Sequence, residues 1–166
     1  MSNRANIEAA LSATADRLVP GSGAAALSHY WSELVMIESP SDDLTRRYST
    51  QDVRIAAPAV FESKRPDGDP VPIRKPRDGL IVVFTEGIVL VRQIGFGACE
   101  SKALEDGDFS VERITTVLDG AEVPGLRITP RTGTPTFALA ITEGQTSGSA
   151  TEQAAVRDEI AELLAR

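Results

Sequence analysis

Between residues 52 and 141 the apolar residues come in short runs, and turn-forming residues interrupt them every eight to twelve positions. Such a stretch has no room for long helices and folds as a series of short strands. Val53, Ile55 and Ala57 alternate with charged or small residues, as a half-buried strand does. GLIVVFT (79–85) and GIVLVRQI (87–94) flank Glu86-Gly87, the shape of a tight hairpin. Gly95-Phe96-Gly97 breaks the next pair, and CESKAL (99–104) runs into the turn sequence Glu105-Asp106-Gly107-Asp108. In FSVERITTVL (109–118), Val111, Ile114 and Val117 are expected to face the core, with a bulge accommodating their uneven spacing. Asp119-Gly120 turns the chain into VPGLRITP (123–130), and Arg131–Thr134 turns it again into PTFALAI (135–141).

Helical periodicity frames the strands. Ile7, Leu11 and Leu18 share one face of a first helix, capped by Ser2 or Asn3 and stopped by Pro20-Gly21. Leu27, Tyr30, Trp31, Leu34 and Val35 fit a second amphipathic helix that Ser22 can cap and Pro40 ends, and residues 41–49 can add one turn. At the other end Ser149 and Glu152 form a capping box ahead of a helix whose apolar face is Val156, Ile160, Leu163 and Leu164. The expected fold class is therefore α+β, mainly β. It is a small barrel or sandwich closed by a C-terminal helix and preceded by two N-terminal helices. The organisation expected is a helical extension over 1–50 and the strand-rich domain over 51–166.

Composition removes most chemistries. His29 and Cys99 are the single histidine and cysteine, which excludes an internal disulfide and a cysteine-built metal site within one chain. His29 has no serine–acid pair placed to orient it and reads as a packing histidine, and Cys99 reads as a small buried apolar residue. Asp67, Asp69, Asp106 and Asp108 lack the spacing of a calcium loop and read as turn residues. No enzyme activity, metal or cofactor is expected. The net charge of −7 argues against nucleic acid as a partner. The N-terminus lacks a signal-peptide pattern and no apolar run is long enough to span a bilayer, so a cytoplasmic location is expected. Arginine over lysine and abundant alanine suggest a GC-rich bacterial genome.

The hairpin GLIVVFTEGIVLV, the segment SVERITTVLDG, the pair LRITPRTGTPTFAL and the final helix together resemble a bacterial pleckstrin-homology-like domain, the group that also resembles GRAM domains. The resemblance covers residues 79–165 and leaves the N-terminal helices outside it. It implies seven strands, the first near 52–61, and a helix that fills the barrel mouth. It also implies an anionic site on three loops, which here hold Lys64, Arg65, Arg74, Lys75 and Arg77, then Phe96, then Arg131. The first of these, Glu62–Asp78, has four prolines and a glycine and reads as a loop throughout. Its five basic residues contrast with residues 80–166, where 13 acids outnumber 7 bases.

Two functions follow as expectations. The first is a non-catalytic binding or assembly module that engages another protein or its own copies through a sheet edge or loop surface. The second is peripheral binding of anionic lipid head groups by the basic loop, with Phe96 as a shallow anchor.

Overall fold

The computed structural model describes residues 3–38, 40, 42–62, 71–73, 75–95, 97–132, 136–143 and 149–165. Among these residues four helices come first: α1 (Arg4–Leu18), α2 (Gly23–His29), α3 (Trp31–Glu38) and α4 (Asp43–Tyr48). Eight strands follow: β1 (Val53–Phe61), β2 (Val71–Ile73), β3 (Arg77–Phe84), β4 (Gly87–Gly95), β5 (Ala98–Glu105), β6 (Phe109–Leu118), β7 (Ala121–Pro130) and β8 (Phe137–Ala140). Helix α5 (Ala150–Leu164) ends the order.

All the strands belong to one sheet in the order β2-β6-β7-β8-β1-β3-β4-β5. Seven of them form the expected antiparallel series. The sheet turns a corner at β1, which pairs with β3 along its length but with β8 only through Val60 and Phe61. The β6–β7 hairpin is set by turn chemistry. Asp119 and Gly120 both have positive φ, 53° and 81°, so Leu118 and Ala121 close a primed two-residue turn.

The long apolar runs of β3 and β4 have a physical cause, since both faces of these strands are covered. Ile81, Val83, Ile88 and Leu90 face inward with Leu126, Ile128 and Leu139, and α5 closes this interior with Val156 and Ile160. Leu80, Val82, Phe84, Val89 and Val91 face outward beneath Ile7, Leu11, Tyr30, Leu34 and Ile37 of the N-terminal helices. The helical extension therefore packs as a layer on the sheet.

Four sequence expectations change in detail. The second N-terminal helix is two helices, because the chain leaves helical geometry at Tyr30 (φ −98°, ψ 25°). That break buries Tyr30 completely and leaves Trp31 59% exposed, so the two aromatics do not share a core face. The stretch 62–78 is not loop throughout. Val71–Ile73 pairs in parallel with Thr116–Leu118 as an edge strand, where proline is tolerated, and Arg77-Asp78 already belong to β3. Strand β6 has no bulge. Its register with β7 is unbroken, and Ile114, Thr116 and Leu118 are buried by strict alternation while Val117 is only partly covered.

The caps also differ. Ser22 does not cap α2; the Gly23 N–H donates to Asp16 Oδ1 at 2.7 Å instead. Ser149 accepts from the Glu152 N–H, as a capping box requires. The return half is replaced, because the Ser149 N–H donates to the Leu18 carbonyl and Glu152 pairs with Arg17. Arg17 also reaches Glu159 at 2.8 Å, joining α1 to α5 across the sheet corner.

Candidate docking site at the free edge of β5

β5 ends the sheet, and among the described residues its second edge pairs with no strand. Its inward positions carry Glu100, Lys102 and Leu104, and its outward positions carry Cys99, Ser101 and Ala103. Two clefts flank this edge, one on each side, and both are lined by Glu100, Ser101 and Lys102. The inner cleft, of about 170 Å³, has Phe61, Leu90 and Phe137 as its apolar walls and Arg92 at its rim. The outer cleft, of about 510 Å³, opens between β5 and the helices α3 and α4 and is lined by Met36, Asp42, Leu44, Cys99 and Ala103.

Each wall follows from local sequence. Phe61 continues the inward alternation of β1, and its ring lies across Gly79, where a Cβ would come within 2.8 Å of it. Arg92 ion-pairs with Glu100 opposite it and donates to the Glu62 carbonyl at 3.3 Å, which fixes the rim of the inner cleft. Helix α4 is held against β5 by Arg47, which pairs with Glu105 at 2.8 Å. Asp42 caps α4 by accepting the Thr45 N–H at 2.7 Å. Lys102 is exposed and makes no ion pair among the described residues.

Beneath α3 lies a polar cluster. Glu33 is fully buried, and its Oε1 accepts from Gln93 Nε2 at 3.1 Å and from Cys99 Sγ at 3.2 Å. Its Oε2 is buried without a hydrogen-bond partner among the described residues. Burial drives the Glu33 carboxyl above the ordinary carboxylate range, opposed by the two hydrogen bonds. Burial first, and then Glu33, pushes the Cys99 thiol up to about 12. A thiol so raised is protonated at neutral pH and is no nucleophile. The His29 ring meets the Tyr30 ring edge-on, with centroids 4.7 Å apart. The His29 side chain is half exposed and its Nε2 meets Asp78 Oδ2 at 2.9 Å.

The anionic site implied by resemblance is only partly visible. Lys64, Arg65, Arg74 and Phe96 lie outside the described residues. Lys75 and Arg77 are exposed and make no ion pair among the described residues. Arg77 lies opposite Phe61 at the start of β3, whereas the Arg131 N–H donates to the Asp108 carbonyl in the β5–β6 turn. The described contacts thus anchor Arg77 and Arg131 at different points of the sheet.

Sequence reasoning had named a sheet edge without choosing one, and it missed Glu33 altogether. An acid at an apolar-stripe position of a helix, one residue before Leu34, was the available signal. Among the described residues no cluster of three or more metal-ligating side chains occurs, and no helix is long and apolar enough to cross a membrane.

No family model and no curated protein matches the sequence. Among solved structures, the apo structure of the activated truncation of Vav1 is similar, with a TM-score of 0.45 and 12% identity over 92% of this chain. The chain spans 34% of that Vav1 chain.

Proposed function

We propose that this protein is a non-catalytic protein-binding module that takes an extended segment of its partner along the free edge of β5. The observation that carries this reading is the pair of clefts meeting at Glu100, Ser101 and Lys102. A strand added to an edge gains main-chain hydrogen bonds, and its side chains point alternately to the two faces. Here each face offers a cleft to receive them.

Selection from a displayed random-peptide library tests the reading. Enriched peptides should bind the full chain and lose binding when the edge is blocked by Ser101→Pro or Lys102→Pro. Successive residues of an edge strand direct their N–H groups alternately toward the neighbouring strand and toward the free edge, so one of these variants leaves the β4 ladder intact. The variant that keeps the wild-type melting temperature is the informative one. Peptides that bind it undiminished use another surface, and a library yielding no binder removes the reading.

A second reading, binding of anionic lipid head groups, is favoured by Lys75 and Arg77, which are exposed and make no ion pair among the described residues. It predicts salt-sensitive co-sedimentation with vesicles containing phosphatidylserine, lost in the double variant Lys75→Ala, Arg77→Ala. Equal sedimentation of wild type and variant rejects it.

A further inference from the structure

The β5 edge has a sequence that complements itself. It reads Ala98-Cys99-Glu100-Ser101-Lys102-Ala103-Leu104-Glu105, with opposite charges placed symmetrically about Ser101. Resting on the reading of this edge as a docking site, we propose that its occupant is a second copy of this chain, paired antiparallel about a two-fold axis at Ser101. In that register Glu100 lies opposite the second copy's Lys102, and Lys102 opposite the second copy's Glu100. Cys99 then faces Ala103, two small side chains on the outward side, and Ala98 faces Leu104.

Neighbouring registers lose this match. An axis at Glu100 sets two carboxylates against each other, and an axis at Lys102 sets two ammonium groups together. An axis between Glu100 and Ser101, or between Ser101 and Lys102, puts each charge opposite an uncharged residue. Directly opposed like charges destabilise a strand pair and opposite charges support it, so charge selects the Ser101 axis.

The surroundings agree. Arg92 already pairs with Glu100 from the β4 side, so the second copy's Lys102 completes a row of alternating sign across the joined sheets. Lys102 is exposed and without an ion pair among the described residues, so it is free to take the role. A two-fold contact of this kind is closed, because each copy uses its one β5 edge and offers no further edge there to a third. It would also cover the unpaired backbone groups that make an open edge an aggregation hazard.

Analytical ultracentrifugation of the full chain across micromolar concentrations tests the pairing. Wild type should show a monomer–dimer equilibrium. Glu100→Lys and Lys102→Glu should each raise the dissociation constant roughly tenfold or more, because each creates two like-charge pairs. Both positions are exposed, and unchanged melting curves would show that the variants fold. Mixing the two variants in equal amounts sets two lysines against two glutamates, and the mixture should dimerise more tightly than either variant alone.

A wild type that stays monomeric overturns the proposal, as does a dimer that survives both single changes. Weakened dimers that mixing fails to rescue overturn this register. A monomeric wild type that still binds library peptides at the edge rejects the second copy while keeping the docking reading. A monomer that binds none rejects both.

Discussion

The Cys99 thiol donates to Glu33 Oε1 across 3.2 Å, joining residues 66 positions apart. This bond ties the start of the edge strand β5 to the buried side of α3. It also leaves a fully buried carboxyl with only one of its two oxygens satisfied among the described residues.

Stability should therefore depend on pH through Glu33. Burial raises its native carboxyl above the unfolded value of 4.5, with Gln93, Cys99 and His29 opposing the shift and Asp78 adding to it. The native state keeps a proton that the unfolded chain has already lost. The penalty is absent below the unfolded value, grows as pH climbs toward the native one and is complete above it. Glu33→Gln keeps an acceptor for Cys99 and carries no charge, so it escapes that penalty. Its melting temperature should match wild type near about pH 4 and exceed it near about pH 8. For a chain of this size each kcal/mol is worth about 2–4 °C. A variant that is less stable at the higher pH would show that the carboxylate is better satisfied than this geometry allows.

Cys99 should be chemically silent in the folded state. A thiol at about 12 instead of the ordinary 9.0 has a thiolate fraction lower by three decades. Alkylation by iodoacetamide at mildly alkaline pH should thus run roughly a thousand times slower than in denaturant. Comparable rates in the two conditions would mean that burial and Glu33 do not shield Cys99 as described.

The strand series could be read in the sequence because the turns announce themselves. Asp119-Gly120 needs positive φ twice, and that pair of residues supplies it. The apolar runs of β3 and β4 were equally legible, but not their meaning, since two covered faces and one long buried run look alike without partners. What stayed hidden depends on distant pairing. β2 is three residues in a proline-rich stretch, and only its parallel contact with Thr116–Leu118 makes it a strand. Glu33 belongs to the same class, because the residues that satisfy it, Gln93 and Cys99, lie on β4 and β5.

Gly79 and Gly95 make a controlled pair. A Cβ at Gly79 would lie 2.1 Å from the Val91 carbonyl oxygen and 2.8 Å from the Phe61 ring, and the backbone oxygen cannot step aside. At Gly95 a Cβ meets nothing within 4 Å among the described residues. Gly79→Ala should cost about 3 kcal/mol or more, as overpacking of a tight site does, while Gly95→Ala stays near wild type. Chemical denaturation of the two variants would separate them, and equal midpoints would refute the stated packing of Phe61 on β3.

The N-terminal helices should be indispensable to the strand region. Leu80, Val82, Phe84, Val89 and Val91 are fully buried, and the helices supply the outer wall that buries them. Exposing such side chains costs about 1.5 kcal/mol or more each, and five together approach the entire stability of a typical domain. A fragment of residues 51–166 should therefore be insoluble, or soluble without a cooperative thermal transition. Adding residues 1–50 as a separate chain should restore the transition if the helical layer can dock on its own. If the 51–166 fragment melts cooperatively by itself, the sheet does not need that layer, and β3 and β4 must find another cover for their outward faces.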